Sequence, residues 1–178
     1  MHGSCQTVGM NDTSGGRPVL DIWCDLQCPD CHRAQRDLRA LRERYGDAVE
    51  VRLRHFPLAK HRHAVAAAQA AEEAGVQGRG REYAEALLAR TGALGERGEP
   101  VLLEVARELA LDAEEIGTAL IDGRHLLAVD ADQAEGQALG VRGTPTYLLG
   151  DERWDGSQSQ DGLRERIECR LDELLAGR

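Results

Sequence analysis

The chain has 178 residues and a formal net charge of -9 at pH 7. This length suffices for one domain with additional elements around its core, and the excess of acidic residues disfavours nucleic acid as a partner. No apolar run approaches the 18 residues of a membrane-spanning helix, so we expect no membrane partner. Because only 3% of the residues are aromatic, the core is expected to consist mainly of Leu, Val, Ile and Ala.

The first 16 residues are rich in Gly, Ser, Asn, Asp and Thr and predict a flexible tail before a single domain over residues 17–178. This segment lacks the apolar stretch of a secretory signal, so we expect a cytoplasmic protein. Five cysteines in a cytoplasmic chain favour catalysis or metal binding over structural bridges.

The first half of the domain predicts a strand, a helix and a second strand. Residues 17–25 form the first strand, and residues 29–45 have apolar positions at helical spacing up to Gly46, which ends the helix. Residues 49–56 alternate apolar and polar side chains, as is typical of a strand, and Pro57 ends them.

The second half is mostly helical. A helical stretch is expected over about residues 60–140, broken by Gly and Pro turns. The predicted helices cover 64–74, 83–89, 101–111, 113–121 and 126–139. Two short strands at 146–149 and 153–155 follow, and an amphipathic helix over 163–175 closes the chain.

This order of elements predicts an α/β protein, a thioredoxin fold with an inserted helical subdomain. The first two strands are joined through a helix and should be parallel. The last two strands are joined by a short turn and should be antiparallel.

The most informative motif is Cys28-Pro29-Asp30-Cys31, at the junction between the first strand and the first helix. A redox-active pair of cysteines is expected at such a junction. Pro29 suits the first helical turn, where a missing N–H costs nothing. Cys28 faces the positive end of the helix dipole, so we expect it to be the exposed, attacking thiolate, and Cys31, one turn further in, to resolve the mixed disulfide.

A second motif, Gly143-Thr144-Pro145-Thr146, lies at the entry to the third strand. Proline is excluded from the middle of a central strand but can begin one. We expect the Thr144–Pro145 bond to be cis, held in that form by its surroundings.

With both motifs, the chain resembles the DsbA-like branch of the thioredoxin superfamily, including the FrnE-type proteins. The similarity runs from about Val19 to the final helix and is carried by three segments, namely residues 23–31 (WCDLQCPDC), 54–58 with 64–68 (RHFPL and AVAAA), and 140–146 (GVRGTPT). The resemblance implies a thiol–disulfide oxidoreductase that exchanges with protein or small-molecule thiols and needs no cofactor or metal. It also implies that Thr144 and Pro145 contact an extended substrate backbone.

Two residues depart from the pattern of that family. Asp30 stands where its members commonly carry His, Trp or Tyr, and Cys24 stands where FrnE-like sequences often have Ser. A carboxylate beside Cys28 opposes thiolate formation and raises the thiol pKa. We therefore expect Asp30 to make the protein a weaker oxidant than a DsbA-type enzyme, which suits a cytoplasmic reductase.

Two other functions stay open from the residues alone. One, within the same class, is a reductase or transferase that uses a low-molecular-weight thiol. The other is an iron–sulfur protein, because Cys24, Cys28 and Cys31 have the CX3CX2C spacing of a cluster motif.

A basic, histidine-rich segment at residues 60–63 can be interpreted in two ways. It could form a metal or anion site together with Arg54 and His55, or a solvated loop before a helix. Two histidines two residues apart do not share a helical face, and no carboxylate is near them in sequence, which favours the solvated loop.

Overall fold

The computed structural model describes residues 16–177 and contains four strands and eight α-helices in that range. The strands are β1 (Val19–Cys24), β2 (Glu50–His55), β3 (Thr146–Leu149) and β4 (Glu152–Asp155). The helices are α1 (Pro29–Tyr45), α2 (Ala64–Val76), α3 (Gly80–Leu88), α4 (Thr91–Arg97), α5 (Pro100–Glu108), α6 (Ala113–Asp122), α7 (Leu126–Ala138) and α8 (Leu163–Ala176). The predicted tail, apart from Gly16, lies outside the described residues.

The four strands form one mixed sheet in the order β2-β1-β3-β4. β1 and β2 are parallel, and β3 is antiparallel to both β1 and β4, as their connections predict. Six helices, α2 to α7, lie between β2 and β3. The architecture is therefore the α/β thioredoxin fold with the expected helical insertion. In residues 16–177, no helix is both long and apolar enough to cross a membrane.

α1 and α8 pack on one face of the sheet. Leu20 and Ile22 of β1 share a buried cluster with Leu38 of α1 and Ile167 of α8. Aliphatic side chains dominate this cluster, as the composition predicts. The contact fixes α1, and with it the cysteine motif at its N-terminus, against the end of β1.

α4 lies within the predicted helical stretch, but the sequence pattern does not predict it as a separate helix. Its sequence, TGALGER, contains two glycines and offers no helical repeat of apolar residues. Leu94 is its one buried residue and joins the cluster formed by the insertion and the three cysteines of the motif region. Tertiary packing therefore sustains a helix that its local propensity does not favour.

α7 covers the opposite face of the sheet by a close approach to Trp23. The indole Nε1–H of Trp23 donates to the carbonyl oxygen of Asp132 at 3.0 Å. A Cβ placed on Gly136 would lie 2.5 Å from that same Nε1 and 3.1 Å from Cδ2 of Phe56. Only glycine lets α7 pack this closely on the aromatic pair.

Gly136→Ala is therefore expected to destabilise the protein, although alanine favours a helix. The clash with Trp23 should cost about 1–3 kcal/mol. Gly117→Ala in α6 is the matched control, because the nearest atom to its added Cβ is 3.9 Å away. This control should raise stability by up to about 1 kcal/mol. Urea unfolding of both variants checks this, and two stabilised proteins would contradict the close packing of α7.

Candidate active site

The two cysteines of the motif lie at the N-terminus of α1. Cys28 is the residue that precedes the helix, with extended backbone, and Pro29 occupies the first turn. Cys31 faces inward and is fully buried. The geometry of the turn thus brings both sulfurs together, as the CxxC spacing predicts.

Cys28 is far less exposed than the sequence predicts, with only 3% of its surface accessible. The loop before β3 causes this burial, because the Cys28 sulfur lies 3.7 Å from the carbonyl oxygen of Thr144. Cys28 still borders a cavity of about 490 Å³. The other residues lining this cavity include Leu58, Lys60, Arg142 and Ser157.

The Thr144–Pro145 peptide bond is cis in this loop. The backbone oxygen of Pro145 accepts a hydrogen bond from the N–H of Gly156 at 2.8 Å, which ties the entry of β3 to the end of β4. Thr144 and Pro145 are both buried, and the Thr144 carbonyl faces Cys28. The two sequence motifs, 116 residues apart, therefore meet at one place.

The thiols of the pair are held in their neutral form. A hydrogen bond with Cys31, together with burial, raises the pKa of Cys28 well above its ordinary value. Burial, followed by a hydrogen bond with Cys24, raises the pKa of Cys31 as well. The expected helix stabilisation of a Cys28 thiolate is therefore opposed by the neighbouring thiol and by the loss of solvent, which both raise the pKa of Cys28.

Asp30, predicted to tune the site, lines the same cavity as Cys28. Its carboxylate forms an ion pair with Arg33 on the solvent side of α1. The leading causes of the raised pKa at Cys28 are Cys31 and burial. The direction of the predicted shift is correct, but its main source is the pair of thiols.

Asp25 is a site residue that the sequence analysis missed. Its side chain is fully buried, and one carboxylate oxygen accepts from the backbone N–H of Gln27 at 2.7 Å. The other oxygen accepts from the N–H of Leu58 at 2.9 Å and lies 2.7 Å from Nδ1 of His61. The carboxylate thus joins the end of β1, the turn before α1 and the loop after β2.

His61 consequently is not part of a fully solvated loop. It lies 36 residues from Asp25 in sequence, so no local pattern indicated the contact. His55, from the same predicted cluster, pairs with Glu72 at 2.9 Å instead. His55 and His61 therefore contact separate carboxylates, those of Glu72 and Asp25.

The structure gives no support to the iron–sulfur alternative. Within residues 16–177, no group of three or more His, Cys, Asp or Glu side chains is arranged to hold a metal ion. Cys24, Cys28 and Cys31 are instead packed together in a buried apolar cluster. The CX3CX2C spacing arises because Cys24 ends β1, Cys28 precedes α1 and Cys31 lies in the first turn of α1.

The fold and the site define a class, that of thioredoxin-fold proteins with a cysteine pair beside a cis-proline loop. Residues 19–168 match the model of the DSBA-like thioredoxin domain. The chain belongs to this DsbA-like family, whose members are thiol–disulfide oxidoreductases.

Solved structures agree with this assignment. A thioredoxin-like oxidoreductase from Silicibacter pomeroyi is 26% identical, with a TM-score of 0.67 over 86% of this chain and 88% of that protein. The thiol-disulfide exchange protein α-DsbA2 from Wolbachia pipientis is 19% identical and has the same fold, with a TM-score of 0.73 over 92% and 84% of the two chains.

The curated relatives are much longer proteins. The Na(+)/H(+) antiporter NhaA 1 of Salinispora arenicola is 35% identical over 146 residues, which are 80% of this chain and 22% of the antiporter. NhaA of Herminiimonas arsenicoxydans is 33% identical over 78% of this chain and 22% of its own length. The chain thus spans about a fifth of the length of these relatives.

We expect Asp25→Asn to destabilise the protein, because whichever way the amide is turned, its NH2 group faces a backbone N–H donor, that of Gln27 or that of Leu58. Leaving such buried donors unsatisfied costs about 1–3 kcal/mol. Asp30→Asn is the matched control, since it removes an exposed ion pair worth about 0–1 kcal/mol. Urea unfolding of the reduced proteins measures both, and equal midpoints would show that Asp25 does not hold the site together.

Proposed function

We propose that the protein exchanges disulfides in the cytoplasm, mainly in the reducing direction, with Cys28 as the attacking thiol. The observation that carries this proposal is that Cys28 borders the open cavity while Cys31 is fully buried behind it. A substrate disulfide enters at the cavity and forms a mixed disulfide with Cys28. Cys31 then attacks the Cys28 sulfur and releases the substrate thiol.

Thr144 and Pro145 are proposed to align the substrate. The carbonyl of Thr144 lies beside the Cys28 sulfur, at the wall of the cavity through which a substrate approaches. An extended peptide placed there would run along the loop that leads into β3. Pro29 is proposed to keep the first turn of α1 in its helical form while the mixed disulfide is bound.

The reducing direction is supported by the electrostatics of the pair. In a strongly oxidising enzyme, a stabilised thiolate lowers the free energy of the reduced form. Here the pKa of Cys28 is raised, so the reduced form gains no such stabilisation at neutral pH. The disulfide is then harder to reduce, and the dithiol is a better reductant.

Serine variants test the roles of the two cysteines. Cys28→Ser should abolish reduction of a protein disulfide such as that of insulin, since no nucleophile remains at the cavity. Cys31→Ser should accumulate mixed disulfides at Cys28, because the resolving thiol is gone. Mass spectrometry of the trapped species checks this, and mixed disulfides on Cys31 in the Cys28→Ser protein would reverse the roles.

The pH dependence of alkylation tests the thiol electrostatics. Because the pKa of Cys28 is raised, its thiolate fraction should grow about tenfold per pH unit from pH 6 to pH 9. The rate of Cys28 labelling by iodoacetamide should follow that rise without levelling off. A plateau reached below pH 7 would show a stabilised thiolate and would contradict the reducing direction.

A second candidate function uses a small molecule in place of a protein. The cavity beside Cys28 is bordered by Lys60 and Arg142, whose cationic groups suit the carboxylates of a low-molecular-weight thiol such as glutathione. Lys60→Ala with Arg142→Ala should then slow reduction of a glutathionylated peptide far more than reduction of insulin. Equal slowing of both substrates would favour the protein substrate.

A further inference from the structure

Cys24 is a buried thiol that the proposed exchange does not use. It is the last residue of β1, and side chains alternate between the two faces of a strand, so it points to the same face as Leu20 and Ile22. α1 packs on that face and contributes Cys31. Cys24, Cys28 and Cys31 accordingly belong to one buried cluster.

The Cys31 sulfur lies against the backbone of Cys24. It accepts a hydrogen bond from the N–H of Asp25 at 3.5 Å. Since two covalent bonds separate that nitrogen from the Cα of Cys24, the Cys31 sulfur is within about 6 Å of this Cα. A disulfide needs the two sulfurs at about 2.0 Å, so the side chains of Cys24 and Cys31 have to move closer together within their shared cluster to form one.

Cys31 is also the thiol that contacts both others. Its side chain lies in the same buried cluster as Cys24 and Cys28, and both of these thiols contribute to the shift of its pKa. Exchange between disulfides requires an attacking sulfur, a central sulfur and a leaving sulfur in contact. Because Cys24 and Cys28 both influence the Cys31 thiol within one cluster, Cys31 is the sulfur assigned to the central position.

We propose that Cys24 is a third redox-active thiol, which attacks Cys31 of the Cys28–Cys31 disulfide and forms a Cys24–Cys31 disulfide. The bond between Cys28 and Cys31 breaks, the bond between Cys24 and Cys31 forms, and Cys28 leaves as a thiolate that takes up the proton lost by Cys24. The number of disulfides is unchanged, so the step needs no oxidant or reductant. It rests on the proposed function, because it begins from the Cys28–Cys31 disulfide.

After the exchange, Cys24 and Cys31 hold the disulfide while Cys28 is a free thiol. The disulfide moves to two residues that are almost completely buried, while Cys28 is regenerated at the cavity. An oxidised molecule can therefore form a mixed disulfide with a second substrate, which stays on Cys28 until the Cys24–Cys31 disulfide is reduced and Cys31 can resolve it. A two-cysteine site has no free thiol in its oxidised form and cannot do this.

Cleavage before aspartate separates the three cysteines for a direct test. It places Cys24 in the fragment 21–24, Cys28 in 25–29 and Cys31 in 30–36, while Cys5 and Cys169 fall on other fragments. The full-length Cys28→Ser protein is reduced, oxidised with diamide, alkylated and digested. Fragments 21–24 and 30–36 should be joined, with loss of their alkylated forms. Two separately alkylated fragments would overturn the proposal.

The wild-type protein and Cys24→Ser test the exchange step itself. Oxidised wild-type protein should contain fragment 25–29 in alkylated form, because part of its Cys28 is free. Oxidised Cys24→Ser should lose that form and contain only the Cys28–Cys31 link. Fully linked Cys28 in the wild type would overturn the exchange. Absence of a Cys28–Cys31 link in Cys24→Ser would instead contradict the proposed function, so the two failures are distinguishable.

Discussion

The geometry of the site depends on the buried carboxylate of Asp25. Its two oxygens accept backbone hydrogen bonds from Gln27 and Leu58 and contact the imidazole of His61. Because a buried carboxylate is stable only when its oxygens are satisfied, these partners must stay in place. The turn that carries Cys28 and the loop that borders the cavity are thereby held together.

Near this carboxylate, the fold buries the thiols of Cys28 and Cys31. The Thr144 carbonyl covers Cys28 from one side, and Cys31 lies beneath it against Cys24 and the Asp25 amide. Hydrogen bonding to Cys31 and burial raise the pKa of Cys28, and burial followed by hydrogen bonding to Cys24 raises the pKa of Cys31, which favours the protonated thiols. The same packing also places a third sulfur, that of Cys24, in the cluster that holds the pair.

Much of this fold could be predicted from local patterns. The helix at Pro29–Tyr45 was predicted with its observed ends, since proline marks its first turn and Gly46, at φ of 48°, ends it. α4 could not be predicted, because the burial of Leu94 by distant helices sustains it. The burial of Cys28 and the Asp25–His61 contact escaped prediction for a related reason. Both arise between segments far apart in sequence, where neither spacing nor periodicity gives a signal.

The reduction potential of the Cys28–Cys31 pair tests the central claim most directly. Equilibration of the purified protein with dithiothreitol mixtures, followed by quantification of the linked and alkylated fragments, measures it at pH 7. A dithiol without a stabilised thiolate should have a potential near that of thioredoxin, about -270 mV. A potential near that of DsbA, about -120 mV, would contradict the account. It would require a stabilised thiolate in the reduced form, which the buried, protonated pair does not provide.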